Sequence, residues 1–286
     1  MLEYIKSLIL GILTGITAPL PVSSSGHFSL ANNLLGFAAD GELSALYYSI
    51  FMIVFSVVIM FSLREPYSKL FRGSSKNSKN YKLRLKNLLF SVVIGALLFI
   101  PIPGLGKSFT DYFNLFLTSE NILNSILTGA AAVFTGLIIA VSVWYIKRGR
   151  GSKKKTVPAR SAVRMCVYSL PAYIIPGTSK IALSSVNLAL CDVKSDVLFR
   201  EAYFYIAPQV FIVNLIRTLL LLAKGLRPEI TSLLIGVAAV ALAALLVIAI
   251  IRKTDSGKLL LFFSAYSVLF GTVIIAYTLI PIFSGV

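Results

Sequence analysis

The sequence predicts an all-α, polytopic membrane protein. Of its 286 residues, 57% are hydrophobic and only 13% are charged, about half the charged share of a soluble domain, and the mean hydropathy is +0.86. Apolar runs of membrane-helix length recur from one end of the chain to the other. Lysines and arginines exceed acidic residues by 16 and are concentrated between such runs. These observations exclude a soluble enzyme, a disordered protein and a protein with a single membrane anchor.

Five apolar runs reach the roughly 20 residues that cross a bilayer. They are Leu43–Leu63, Ile122–Ile146, Ala202–Leu222, Ile230–Ile251 and Leu259–Phe283. A sixth run, Leu88–Ile102, is shorter, and we expect that it also spans. Two other stretches, residues 4–38 and 162–190, are apolar but interrupted by prolines, glycines and serines. The pattern therefore predicts about six transmembrane helices and two broken segments.

Two basic segments indicate the orientation of the chain. Residues 64–86 and 147–164 each hold eight lysines and arginines, and together they carry +15 of the net charge of +16. Short basic loops face the cytoplasm, so both are placed inside and the 103–121 loop outside. Counting back from the C-terminus in the same way, residues 162–190 leave the cytoplasm and return to it, which is typical of a re-entrant hairpin buried in protein. Because the charge is confined to these loops, we expect no binding of nucleic acid.

The two broken stretches resemble each other. They share four residues at an offset of 155: Pro21 and Pro176, Ser24 and Ser179, Asn32 and Asn187, Leu35 and Leu190. We interpret residues 1–286 as a single membrane domain with half-repeats of roughly 1–146 and 160–286, joined by the basic cytoplasmic loop 147–164. If the two hairpins enter from opposite faces, the repeat is inverted, and its broken elements meet near the midplane to form the site.

The first candidate site is the segment P-V-S-S-S-G-H at residues 21–27. Hydroxyls and a glycine at the start of a helix leave backbone N–H groups free for an anion, and the helix dipole adds positive potential. His27, the only histidine, lies one turn from Ser23 and Ser24 and could donate to a phosphate, transfer a proton or act as a nucleophile. The alternative is a helix cap beside a structural histidine. Because ionisable residues in membrane segments are costly, a functional role is favoured.

The second candidate is P-G-T-S-K at residues 176–180, followed by two serines. It repeats the anion-binding pattern and adds a cation. Lys180 in an apolar hairpin is costly unless it faces an anion or a carboxylate, and the alternative is a lysine that extends to a headgroup. Within Ala202–Leu222, we interpret Gln209 as a helix–helix contact and Arg217 as a residue that snorkels to the interface.

At these two motifs the sequence resembles the bacterial undecaprenyl-diphosphate phosphatase family of the BacA/UppP type. The family motif P-V-S-S-[ST]-G-H is matched in full by residues 21–27, and P-G-x-S-R-S is matched as P-G-T-S-K-I by residues 176–181. The resemblance implies an inverted repeat with two re-entrant helical hairpins in the bacterial inner membrane. It also implies removal of the terminal phosphate from the polyprenyl diphosphate carrier of cell-wall synthesis.

The same resemblance implies a set of site residues. Ser24 and His27 are the catalytic positions, and the phosphate-binding positions are Ser23, Ser25, Gly26, Gly177, Ser179, Lys180 and Ser184. The two glutamates that the family associates with a divalent metal fall on Thr14 and Ala18, so the sequence predicts no metal ligands and casts doubt on dependence on Mg²⁺ or Ca²⁺. A lysine replaces the family arginine at residue 180, which keeps the charge but loses the bidentate fork.

Three functions stay open at this stage. The first is hydrolysis of the polyprenyl diphosphate. The second is a catalytically impaired homologue that binds, senses or translocates polyprenyl phosphate or a related lipid. The third is a broken-helix transporter for a small soluble anion, which fits the hairpins but not the full serine–histidine motif. The expected partners are a polyprenyl (di)phosphate lipid and the bilayer, with homodimerisation left open.

Overall fold

The computed structural model describes residues 2–38, 41–72, 79–118, 122–148, 159–194, 197–254 and 256–284. These residues form α1 (Leu2–Thr17), α2 (Ser24–Leu35), α3 (Gly41–Ser62), α4 (Arg64–Arg72), α5 (Lys79–Leu97), α6 (Phe109–Thr118), α7 (Ile122–Lys147), α8 (Ala159–Tyr168), α9 (Lys180–Leu190), α10 (Leu198–Ala223), α11 (Ile230–Ile251) and α12 (Ser256–Ser284). A short 3-10 helix, Leu170–Tyr173, lies between α8 and α9. The central parts of the two predicted basic loops, residues 73–78 and 149–158, lie outside the described residues.

The predicted class, an all-α polytopic membrane protein, is confirmed. Within the described ranges, α3, α7, α10, α11 and α12 are long and apolar enough to cross a membrane. They correspond to the five long apolar runs of the sequence, with ends that differ by a few residues. The large apolar side chains exposed on these helices, such as Phe61, Trp144, Leu246 and Phe262, are suited to contact with lipid.

The sixth predicted span has different bounds in the structure. The helix α5 begins at Lys79, nine residues before the predicted start at Leu88, and ends at Leu97. It starts early because its basic residues are good helix formers. It ends early because the chain turns at residues 98–100, ahead of Pro101, whose ring disfavours helical backbone in the residue before it. With its basic first half, α5 is not among the five apolar spans.

The two broken stretches form pairs of short helices. The first pair is α1 and α2, with 16 and 12 residues, and the second is α8 and α9, with 10 and 11 residues. At a rise of about 1.5 Å per residue, the longest of them measures about 24 Å, less than the roughly 30 Å of a hydrocarbon core. These lengths suit re-entrant hairpins, which stay a prediction.

Several of the helix contacts occur in pairs that a two-fold repeat would relate. Helix α1 packs on α11 as α8 packs on α5, and α3 packs on α11 as α5 packs on α10. The remaining large contacts join α3 to α10 and α7 to α12, which are the elements that such a repeat would exchange. The predicted half-repeats and their inversion stay predictions.

Close backbone contact holds the first hairpin against the spans. A Cβ added at Gly11 of α1 would lie 2.4 Å from the Gly236 carbonyl oxygen, and one added at Gly15 would lie 2.7 Å from the Val240 oxygen. Small residues let membrane helices approach in this way. The packing of α1 on α11 therefore fixes where the loop after α1 is presented.

Candidate functional site

The two serine-containing loops meet at Ser23. This residue caps α2, and its Oγ accepts hydrogen bonds from the Gly26 amide at 3.0 Å and from the Gly177 amide at 2.9 Å. A Cβ added at Gly26 would lie 3.3 Å from the Gly177 nitrogen and Cα, so the loops touch through two glycines. The Ser25 hydroxyl lies 3.2 Å from the Ser23 hydroxyl in the same buried junction. A single side-chain oxygen thus joins the two hairpins.

Gly177 gives the second loop a conformation that the first loop lacks. Its φ of 97° lies in the left-handed region, and a Cβ there would lie 2.0 Å from the Thr128 carbonyl oxygen, so glycine is required. Ser179 caps α9 by accepting a hydrogen bond from the Ala182 amide at 3.1 Å. The second loop has one more residue between its proline and its cap than the first, and the left-handed turn at Gly177 accommodates it.

Ser24 and Lys180 line a common small cavity of about 10 Å³. The other lining residues are Ala18, Val22, Met52, Phe55, Ser179, Ile181, Ile206 and Val210. The Ser24 Oγ lies 3.0 Å from the Tyr48 hydroxyl. The Lys180 Nζ lies 4.8 Å from the centroid of the Tyr173 ring, and the residue is only 7% exposed. No acidic side chain in the described part of the chain forms an ion pair with Lys180, so this cation is buried without a counter-charge.

His27 packs towards α12. Its Nδ1 lies 2.6 Å from the Ser23 carbonyl oxygen and its Nε2 lies 2.7 Å from the Tyr266 hydroxyl. Because a carbonyl oxygen only accepts, Nδ1 carries the proton, and in the neutral ring Nε2 accepts from Tyr266. The ring stacks on Phe270 at a centroid distance of 3.8 Å. The imidazole is therefore oriented on both edges and covered on one face.

The structure thus groups most of the predicted residues and separates a few. Ser23, Ser25, Gly26 and Gly177 form the junction between the loops, and Ser24, Ser179 and Lys180 line the adjoining cavity. The remaining two have other partners. His27 does not line that cavity, and the Ser184 hydroxyl donates to the Lys180 carbonyl oxygen at 2.7 Å within α9.

Residues 14 and 18 lie at the edge of this site without metal-binding groups. The Thr14 hydroxyl is buried and donates to the Leu10 carbonyl oxygen at 2.7 Å. Ala18 contributes a methyl group to the cavity that holds Ser24 and Lys180. Among the described residues, no three histidine, cysteine, aspartate or glutamate side chains lie together. Since divalent cations such as Mg²⁺ and Ca²⁺ need carboxylate or carbonyl oxygens, the donors present here do not fit the metal that the family resemblance implies.

Three residues near the site were not predicted. Tyr48 and Tyr173 are fully buried and contact Ser24 and Lys180 respectively. Arg217, interpreted from the sequence as snorkelling to the interface, is only 2% exposed, and its Cζ lies 4.3 Å from the centroid of the Phe113 ring. That interpretation was wrong because the side chain is buried with its guanidinium against Phe113 of α6. A charged residue inside an apolar run was the available signal.

Comparison with known proteins agrees with this arrangement. The family model described as "Bacitracin resistance protein BacA" matches residues 7–273. Undecaprenyl-diphosphatase 2 of Bacillus thuringiensis (strain Al Hakam) is 27% identical over 208 residues, 71% of each chain. The undecaprenyl-diphosphatase of Desulfitobacterium hafniense (strain DSM 10664 / DCB-2) is 23% identical over 281 residues, which cover 97% of this chain and 96% of the relative. Because the family match includes both serine loops and most of the length, the chain belongs to the BacA family.

Proposed function

We propose that this multi-pass protein of the bacterial inner membrane hydrolyses undecaprenyl diphosphate to undecaprenyl phosphate and inorganic phosphate. The observation that carries the proposal is the junction at Ser23, whose Oγ accepts the Gly177 N–H and so brings Ser24 and Lys180 to one buried cavity. A buried lysine without a counter-charge is suited to an anion. The relatives named undecaprenyl-diphosphatase make the terminal phosphate of that lipid the candidate anion.

Ser24 and Lys180 act on the terminal phosphate group in this proposal. The Ser24 hydroxyl donates a hydrogen bond to a phosphate oxygen, and Lys180 neutralises the charge that develops as the bond to the bridging oxygen breaks. Since the cavity is only about 10 Å³, it must widen to admit a phosphate group. Met52, a flexible side chain that lies 3.9 Å from Ser24 Oγ, is suited to move.

His27 transfers the proton in this proposal. Its Nδ1–H is held by the Ser23 carbonyl oxygen, so Nε2 is the nitrogen that can accept a proton. Because His27 does not line the Ser24 cavity, the attacking water must lie between that cavity and Nε2. The water oxygen forms the new bond to phosphorus, and undecaprenyl phosphate leaves with the bridging oxygen. In the structure Nε2 accepts from Tyr266, and this hydroxyl must move aside or relay the proton. Ser24 has Tyr48 as its hydroxyl partner, not a base, so it acts here as a phosphate ligand.

The positive charge that a metal would supply must come from side chains. Thr14 and Ala18 offer no carboxylate, and no step above passes through a metal. Lys180 is the cation placed beside Ser24. Both loops of the site come from one chain, so the proposed reaction does not depend on a homodimer.

Phosphate release from undecaprenyl diphosphate by the purified full-length protein in lipid nanodiscs tests this function. We expect release that falls at least tenfold in Lys180→Ala and His27→Ala but not in Lys253→Ala, an exposed lysine after α11. Absence of release would overturn the proposal. If such a protein still bound undecaprenyl phosphate through Lys180, it would be a lipid-binding homologue. If it bound only inorganic anions, it would be a carrier of soluble anions.

A further inference from the structure

Arg217 is a buried cation whose hydrogen-bonding capacity is mostly unused. It lies in α10, one turn beyond Asn214, whose Oδ1 accepts from its Nη1 at 3.4 Å. Its Nε and Nη2 are buried and have no hydrogen-bond partner. Because burying unpartnered guanidinium N–H groups is unfavourable, this arrangement calls for a ligand that accepts from them.

The two free groups have a geometry that selects the ligand. The Nε–H and one Nη2–H lie on one edge of the planar guanidinium and point in the same direction. Such an edge donates two parallel hydrogen bonds to a pair of oxygens on one phosphate or carboxylate group. A lysine cannot make this contact. An oxyanion with two oxygens on one centre is therefore the class of ligand that fits.

A cavity of about 380 Å³ leads to Arg217. Its polar lining comes from Thr110, Asp111 and Asn114 of α6 and from Arg217 and Lys224 of the α10 end, and its apolar wall includes Phe99 and Leu220. Loop charges predict that the α5–α6 connection and the end of α10 face the outside. The cavity is large enough for a phosphate group with several waters.

The other charges around this cavity leave it available to an anion. Asp111 interacts electrostatically with Arg217, but one of its oxygens accepts from the Ser108 amide at 2.8 Å and from the Ser108 hydroxyl at 2.7 Å. Lys224 at the rim forms an ion pair with Glu42. Arg217 is thus the charge at the buried end of the cavity.

Two aromatic rings connect Arg217 to Ser24. The Arg217 guanidinium stacks over Phe113, the Phe113 ring lies 6.0 Å from the Tyr48 ring, and the Tyr48 hydroxyl contacts Ser24. Arg217 also lies near enough to Lys180 for their charges to interact. The Phe113 and Tyr48 rings therefore lie between Arg217 and Ser24.

We propose that the cavity at Arg217 is a second phosphate-binding site on the outer side of the hairpin junction, in which Nε–H and Nη2–H donate to two oxygens of one phosphate group. This inference rests on the proposed function, which makes phosphate both the group recognised and the product released. The phosphate can arrive as inorganic phosphate or as the headgroup of undecaprenyl phosphate. In either case the Arg217 side chain supplies positive charge near the hairpin junction, where the residues offer no ligands for a metal.

Equilibrium dialysis of radiolabelled inorganic phosphate against the full-length protein in EDTA tests the site. Wild type is compared with Arg217→Gln, with Arg217→Lys, and with Arg227→Gln as the matched control, because Arg227 is exposed and donates only to the Leu222 and Leu226 carbonyl oxygens. We expect at least tenfold weaker binding in Arg217→Gln, at least threefold weaker binding in Arg217→Lys, and no change in Arg227→Gln. If Arg217→Gln does not fold, the Arg217→Lys value decides.

Competition with undecaprenyl phosphate distinguishes the two sources of the phosphate group. Displacement of inorganic phosphate by the lipid indicates that the headgroup occupies the site, and lack of displacement indicates that free phosphate does. Equal affinity of wild type and the folded Arg217 variants for both ligands, or no binding of either ligand, would overturn the inference. These measurements record binding and not hydrolysis. Phosphate binding at Arg217 can therefore be found in a protein that releases no phosphate from undecaprenyl diphosphate, and it can be absent from a protein that does.

Discussion

The Ser23 hydroxyl and the Gly177 amide are joined by a 2.9 Å hydrogen bond across 154 residues of sequence. The same oxygen also caps α2 through the Gly26 amide. Capping of α2 and the hydrogen bond between the two loops therefore depend on one atom. The Ser23 side chain is buried, so loss of its hydroxyl leaves the Gly26 and Gly177 N–H groups without a partner or water.

Ser23→Ala should destabilise the protein more than Ser179→Ala. Both serines cap a helix, and loss of a cap costs about 1 kcal/mol. Only Ser23 also accepts the Gly177 amide, so its loss should cost a further 1–3 kcal/mol or so for the second unpaired N–H group. Thermal unfolding in detergent measures both. Equal shifts in the two variants would contradict the bridging role of Ser23.

Gly177→Ala should prevent close packing of the second loop against α7. The substitution places a Cβ 2.0 Å from the Thr128 carbonyl oxygen and strains a φ of 97°. Gly225→Ala is the matched control, because its φ is 91° and nothing lies within 4 Å of the added Cβ. The control should lose only about 1–2 kcal/mol of stability, because alanine is strained at this φ. Gly177→Ala should lose clearly more stability. A similar melting temperature for the two variants would show that the contact with Thr128 is unimportant.

Lys180→Arg should retain phosphate release and Lys180→Ala should not. The charge-assisted hydrogen bond to phosphate contributes about 1.5–3 kcal/mol, and each 1.4 kcal/mol or so corresponds to tenfold. The rate of phosphate release by the alanine variant should therefore fall roughly ten- to hundredfold. The arginine variant keeps the charge, so its rate should stay within about threefold of the wild-type rate. Initial rates of phosphate release measure this. A fully active Lys180→Ala protein would place the phosphate elsewhere.

Removal of divalent cations should leave phosphate release and phosphate binding unchanged. Thr14 and Ala18 cannot supply carboxylate ligands, and the described residues contain no cluster of three potential ligands. Assays in EDTA and in excess Mg²⁺ should agree within error. A loss of activity in EDTA that Mg²⁺ restores would show that a metal binds through other donors.

The acid stability of the protein should depend on Glu229. This carboxylate caps α11, and hydrogen bonding from Ser232, followed by the Thr231 amide, lowers its pKa from 4.5 to about 2. A lowered pKa stabilises the folded state above pH 4.5, and this contribution disappears as the pH falls towards 2. The difference in melting temperature between wild type and Glu229→Gln should be constant near neutral pH and shrink below pH 4.5. A difference that does not change down to pH 3 would contradict this role.

Much of the fold could be predicted because it depends on consecutive residues. The five apolar runs, the basic loops and the two loops at residues 21–27 and 176–180 are local patterns, and local composition decides whether a segment partitions into a bilayer. The bounds of α5 could not be predicted in this way. Its basic first half and its apolar second half form one helix, which neither the apolar-run pattern nor the basic-loop pattern describes. The convergence of the two loops was expected from their likeness.

The partners of the site residues could not be predicted, because packing between distant helices selects them. Ser24 contacts Tyr48 from 24 residues away, and His27 contacts Tyr266 from 239 residues away. Arg217 is buried with its guanidinium against Phe113 of α6, more than 100 residues earlier in the chain. Hydropathy, charge and motif thus follow from the order of the amino acids, whereas the direction of each polar side chain depends on which neighbouring helix provides a hydrogen-bonding group within about 3 Å.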